Sequence, residues 1–131
     1  MGISFKEVSH VYPTSKKKVY TVALNKINFN INGTGEFIAL VGKTGSGKST
    51  LMEHMNALLL PTSGTVQIFD KTITPKKNKN PKLKEVRKKV GFVFQFPEYQ
   101  LFEETVIKDI MFAAKNFGLK EEDAKQRALD T

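Results

Sequence analysis

Glycines at 42, 45 and 47 are followed by a lysine and two hydroxyl residues. The stretch Gly42-Lys43-Thr44-Gly45-Ser46-Gly47-Lys48-Ser49 therefore has the spacing G-x-x-x-x-G-K-[ST]. These residue types suit one kind of chemistry. Glycines let the backbone wind until successive N–H groups point inward, a concavity that holds phosphate oxygens. Lys48 adds a mobile positive charge for β- and γ-phosphates, and the Ser49 hydroxyl can ligate Mg²⁺. The bare spacing arises by chance often enough that its flanks must decide. Here an apolar run, Glu36 to Val41, predicts a strand before the loop, and a helical pattern from Lys48 predicts a helix after it. The N-terminal dipole of such a helix favours the same anion.

Two further groups belong near such a site. Gln95 ends the apolar run Gly91 to Phe94, just before Phe96-Pro97-Glu98. A glutamine there would stand at the carboxyl edge of an α/β sheet, where ligands bind, although a plain polar strand end has the same appearance. Tyr12, at a strand-to-loop turn, could stack on a nucleotide base, and Tyr20 competes for that role. His10 and His54 are dispersed in sequence and lack carboxylate or thiol companions, so neither is assigned to a metal or to acid–base work.

The elements that must position these residues follow from periodicity. Irregular alternation of Ile3, Phe5, Val8 and Val11 predicts a first strand ending at Tyr12-Pro13. Leu24, Ile27, Phe29 and Ile31 predict a second, closed by Asn32-Gly33-Thr34-Gly35. The unbroken run Phe37 to Val41 is of the kind expected for a strand buried on both faces of a parallel sheet. Leu51, Met55, Leu58 and Leu59 continue the helix from Lys48 until Pro61-Thr62-Ser63-Gly64 stops it. Thr65 to Phe69 and Gly91 to Gln95 read as strands. Leu83 to Lys89, Thr105 to Phe117 and Glu121 to Leu129 read as helices, the second with Val106, Ile110, Ala113, Ala114 and Phe117 near one stripe. The alternation points to an α/β fold.

A chain of 131 residues supports one domain or part of one. Its apolar runs fall far short of the roughly 20 residues of a spanning helix. Without cysteine there is no disulfide framework or thiolate metal site, and the N-terminus lacks a secretory layout, which fits a cytoplasmic location. The net charge of +8 comes largely from Lys76, Lys77, Lys79, Lys82, Lys84, Arg87, Lys88 and Lys89. The aromatic interleaving of a single-strand platform is missing there, so the cluster reads as a solvated face and no nucleic-acid partner is expected.

Taken together, these residues resemble an ATP-binding cassette (ABC) ATPase over essentially the whole chain. The resemblance rests on the tyrosine after the first strand, Ala23 to Ile31, Gly42 to Thr50, Pro61 to Val66, and Val93-Phe94-Gln95. Within that family, Phe94 to Val106, running Phe-Gln-Phe-Pro-Glu-Tyr-Gln-Leu-Phe-Glu-Glu-Thr-Val, looks like the ATP-binding subunits of energy-coupling factor importers, which take up vitamins or transition-metal ions.

The resemblance implies a P-loop NTPase fold: a RecA-like core with the antiparallel β-subdomain of ABC ATPases. It implies ATP and Mg²⁺ as ligands. Tyr12 and residues Gly42, Lys43, Thr44, Gly45, Ser46, Gly47, Lys48, Ser49 and Thr50 would hold the nucleotide. Lys48 and Gln95 would be catalytic, with Ser49 and Gln95 at the metal. The implied partners are a second ATPase subunit, alike or paralogous, and a transmembrane coupling subunit met by Phe96 to Thr105. A substrate-binding membrane subunit is reached indirectly, and the location is peripheral, on the cytoplasmic face of the membrane. The family's glycine-rich signature, Asp-Glu strand end and switch histidine are not in this sequence. Residues 1–131 are therefore expected to be the N-terminal part of one nucleotide-binding domain, ending at the start of its helical subdomain and inactive alone. A P-loop kinase shares Gly42 to Ser49 but does not account for Phe94 to Val106.

Overall fold

The computed structural model describes residues 2–15 and 18–131. They fall into two compact units, Met1–Gly91 and Phe92–Thr131. In the first, strands β1 (Ile3–Pro13), β2 (Tyr20–Ile31), β3 (Ser63–Ile68) and β4 (Lys71–Ile73) form an antiparallel sheet in the order β2-β1-β3-β4. Helices α1 (Lys48–Met55) and α2 (Leu83–Lys89) complete the unit.

The irregular alternation of β1 has a structural cause. Its register with β2 slips between Phe5 and Val8, between Val8 and His10, and between His10 and Val11. The first slip puts the extra residue on β1 and the other two put it on β2, and such irregularities re-aim side chains. As a result Phe5, Val8 and His10 are all buried although their spacing is three and then two. Side chains hold the distorted backbone: Asn28 Oδ1 accepts the Glu7 N–H at 2.9 Å, and Ser9 Oγ accepts the Lys26 N–H at 2.9 Å. Gly64 meets the same bulge from β3. Its φ is +79°, and a Cβ there would lie 2.2 Å from the Glu7 carbonyl oxygen, so only glycine allows the approach.

The core gathers Phe5, Val8, Leu24, Ala57, Val66, Ile68, Ile73 and Val86, with Phe29 stacked on Phe5 at 4.5 Å between ring centroids. Each large aliphatic side chain buried this way contributes about 1.5–3 kcal/mol. Leu51 and Met55 place one face of α1 on this cluster, and Val86 does the same for α2. The helix from Lys48 is shorter than its apolar pattern predicts. Asn56 Oδ1 takes the Leu58 N–H at 3.1 Å, and Ala57 adopts φ +56°, which stops the helical ladder. The three-residue β4 is too short to leave a periodic signal in the sequence.

Glu36 to Val41 and Gly91 to Gln95 are not strands here. Residues 32–47 carry no regular structure, and Phe37 and Val41 are fully or almost fully exposed, at 102% and 90%. Apolar composition makes such a run fit to be sandwiched in a parallel sheet, but the strand exists only if neighbours supply its ladder. Among the described residues none does; the only sheet is antiparallel.

In the second unit, α3 (Val106–Asn116) and α4 (Glu121–Asp130) pack through Met111, Ala124 and Ala128, with Ile107, Ala114 and Leu119 alongside. The buried stripe of α3 is Ile107, Met111 and Ala114, whereas Val106 and Ile110, expected inside, are exposed. The small side chains of Ala124 and Ala128 let the Met111 side chain reach α4. No helix among the described residues is long and apolar enough to cross a membrane.

Candidate functional site

The loop 42–47 is organised by its own side chains. Ser46 Oγ donates to the Lys43 carbonyl at 2.6 Å, and the Ser46 N–H bonds the same carbonyl at 3.2 Å. Lys48 Nζ lies back over the loop, donating to the carbonyls of Gly42 at 2.5 Å and Lys43 at 2.6 Å, with Ser46 Oγ at 3.4 Å. A cation is thereby held inside the curl it would share with a phosphate. A Cβ at Gly42 would sit 2.9 Å from Ser46 Oγ and crowd that curl.

Gly47 is the junction between loop and helix. It caps α1 with φ +94° and ψ +8°, in the left-handed region, and a Cβ there would be 2.4 Å from the Ala23 carbonyl oxygen on β2. Glycine at 47 thus lets β2 lie directly behind the loop. No side chain caps α1, and its first intrahelical bond, from the Leu51 N–H to the Gly47 carbonyl at 2.9 Å, leaves the N–H groups of the first turn without helical partners. Ser49, in that turn, is exposed. Its hydroxyl makes no hydrogen bond among the described residues. Uncapped amides, a flexible ammonium and an available hydroxyl form a donor set suited to a phosphate chain and a hard divalent cation.

β1 brings Tyr12 to this helix. Its hydroxyl is 3.2 Å from Thr50 Oγ1, while Thr50 itself is buried. The Tyr12 ring meets His10 edge-on at 4.7 Å, and His10 meets His54 edge-on at 4.8 Å. His54 is fully buried, and its Nδ1 lies 2.6 Å from the Thr50 carbonyl. A carbonyl only accepts, so Nδ1 carries the hydrogen and the neutral ring presents a lone pair at Nε2, which has no hydrogen-bond partner among the described residues. Burial lowers the His54 pKa, and His10 adds to that effect; the Thr50 and Leu60 carbonyls oppose it. His10 and His54, dispersed in sequence, are therefore neighbours in space, a pairing no local pattern reveals. Tyr20 pairs with Pro13 across the β1–β2 ladder and is exposed.

The structure thus brings together Tyr12, Thr50 and the loop 42–49 in one unit. Gln95 belongs to the other unit, exposed at a bend before the short 3₁₀ turn Pro97–Gln100. Around it Phe94, Phe96, Tyr99, Leu101 and Phe102 are also exposed. The described residues contain no cluster of three or more His, Cys, Asp or Glu able to hold a metal ion.

The family profile described as ABC transporter matches residues 24–130. The energy-coupling factor transporter ATP-binding protein EcfA2 of Lactobacillus gasseri is 53% identical over 129 residues, covering 98% of this chain and 44% of that protein. The EcfA2 of Geobacillus kaustophilus is 54% identical over 129 residues, covering 98% and 43%. The chain thus spans less than half the length of these curated relatives. Among solved structures, a post-hydrolysis dimer of the ATP-binding cassette MJ0796 bound to ADP and Pi superposes with a TM-score of 0.79 at 28% identity, over 98% of this chain and 54% of that one. CbiO1 from Clostridium perfringens, part of the ABC transporter complex cbiONQ, gives a TM-score of 0.70 at 34% identity, over 95% and 46%.

Proposed function

The chain belongs to the ABC transporter family, and on that premise we propose that it is the nucleotide-binding N-terminal part of an ATP-binding subunit of an energy-coupling factor importer. The whole protein hydrolyses ATP to drive uptake of a vitamin or a transition-metal ion. The observation that carries the reading is the uncapped N-terminus of α1 with Lys48 folded over the carbonyls of Gly42 and Lys43. That ammonium can exchange two carbonyl contacts for phosphate oxygens by turning about its own stem.

On this reading the amides of Lys43 to Thr50 and the Lys48 ammonium hold the phosphates, and Tyr12 stacks on adenine. The Ser49 hydroxyl and Gln95 would hold Mg²⁺, which would supply neutralisation of phosphate charge. Gln95 also orients the attacking water. The protein pairs with a second ATPase subunit on the cytoplasmic face of the membrane. The exposed apolar run Phe96, Tyr99, Leu101 and Phe102 supports docking of the 96–105 segment on a transmembrane coupling subunit, through which a substrate-binding membrane subunit is reached.

The test is calorimetry of Mg-ATP binding and phosphate release with the full-length protein, wild type against Lys48→Ala. Loss of a charge-assisted contact lowers affinity by about tenfold to hundredfold and removes turnover. Equal affinity of the two proteins would sink the proposal.

A further inference from the structure

Thr50 is gripped from two sides. Tyr12 reaches its hydroxyl at 3.2 Å, and His54 reaches its carbonyl at 2.6 Å. The two grips are joined by the rings themselves, since Tyr12 lies edge-on to His10 and His10 edge-on to His54. His10 is tethered in turn, its Nδ1 lying 3.0 Å from the Leu60 carbonyl. Thus a closed circuit runs from the end of β1 through two histidines into the first turn of α1 and back to the tyrosine. Thr50 is two residues after Lys48, so this circuit fixes the tyrosine at one end and the phosphate-binding turn at the other.

Given the nucleotide reading above, on which this rests, we infer that His10 and His54 are positioning residues that set the Tyr12 ring relative to the Lys48–Thr50 turn. Neither touches the nucleotide. The circuit needs a neutral His54. A second proton would place an N–H at Nε2, which makes no hydrogen bond among the described residues, where the nearby Leu60 carbonyl is already engaged by His10 Nδ1, and would set a charge beside His10. The groups acting on the His54 charge are His10 from β1 and the carbonyls of Thr50 and Leu60; no charged group of β2 or β3 is among them. Tyr12, beyond His10, completes the titratable groups of the circuit. Acidification therefore loosens the seat of the base-stacking ring.

The experiment separates base from phosphate. Affinities of the full-length protein for Mg-ATP and for Mg-tripolyphosphate are measured at pH 8 and pH 5.5, and their ratio, corrected for the protonation of each free ligand, isolates the contribution of the base. In the wild type the preference for ATP falls about three- to tenfold on acidification, part of what base stacking contributes. His54→Gln retains a donor for the Thr50 carbonyl without a titrating ring, so it keeps the preference at pH 8 and shows a flat pH profile. His54→Phe, which fills the space without the donor, shows the lowered preference already at pH 8. A wild-type ratio that ignores pH, a pH response persisting in His54→Gln, or equal weakening of both ligands in His54→Phe would each overturn the inference. If the wild type at pH 8 shows no preference for ATP, the nucleotide reading itself fails, before any variant is considered.

Discussion

Gly47→Ala isolates the contact that seats the loop against the sheet. Two costs add at this position. An L-residue held at φ +94° is in the left-handed region, where a Cβ costs about 1–2 kcal/mol. The new methyl would also stand 2.4 Å from the Ala23 carbonyl oxygen and 3.3 Å from Leu24 Cδ2, so β2 or the loop must retreat by most of an ångström. Overpacking of that kind adds about 1–3 kcal/mol. Gly45→Ala is the control: its φ of +78° carries the same backbone cost, but nothing lies within 4 Å of the added Cβ. Urea unfolding of the full-length protein should therefore show Gly47→Ala destabilised by about 2–5 kcal/mol and Gly45→Ala by about 1–2 kcal/mol. Mg-ATP affinity should fall further in the first than in the second, because only the first moves the loop off its backing strand. Equal unfolding midpoints for the two variants would refute the claim that β2 seats the loop.

Three other outcomes follow from the same geometry. Tyr12→Phe removes the bond to Thr50 and should cost about 0.5–1.5 kcal/mol in stability while keeping most of the preference for ATP over tripolyphosphate; Tyr12→Ala should abolish the preference, as competition binding would show. His54 makes stability depend on pH. Its pKa is lowered in the folded protein from the ordinary 6.5, so below pH 6.5 the unfolded chain binds more protons, and stability falls with acidification until pH passes the folded value. Urea midpoints between pH 7.5 and pH 5 should decline in wild type and less in His54→Gln; parallel declines would remove His54 as the cause. A polypeptide of residues 1–131 alone, with Phe37 and Val41 exposed, should melt broadly, aggregate and release negligible phosphate from ATP; a sharp monomeric melt with ATPase turnover would contradict this.

What was legible in the sequence was local. The bounds of α2 and the loop 42–49 follow from turn chemistry and short-range spacing, and the structure places Leu83–Lys89 as read. The antiparallel pairing of β1 with β2 joins two periodic segments through a short connection. What was not legible depends on groups distant in the chain. The irregular register between β1 and β2 is held by Asn28 and Ser9, and only the folded sheet shows why Phe5, Val8 and His10 share a face. The histidine pair is of the same kind: β1 carries one ring and α1 the other, and no spacing rule couples them. On α3 the pattern misjudged the inward stripe by one position. Both Val106-Ile110 and Ile107-Met111 are apolar, and only the packing of α4 selects the second.

The two apolar runs read as strands, the first of them as buried in a parallel sheet, show that a strand signal is conditional. Phe37 to Val41 and Gly91 to Phe94 are apolar runs of strand-like composition, yet neither is in a strand, because a ladder needs hydrogen-bonding neighbours and covering layers. Their apolar character is an expense in water that the edge-on contact of Phe92 with Phe94 offsets only in part. Both lead directly into proposed site residues, the first into Gly42 and the second into Gln95. On the proposed reading the missing ladder partners belong to the remainder of a longer polypeptide, in keeping with relatives more than twice the length of this chain. Burial of these runs would then fix the approach to the phosphate loop and to Gln95 together. Assembly of that sheet, rather than the P-loop residues alone, would set the geometry in which hydrolysis becomes possible.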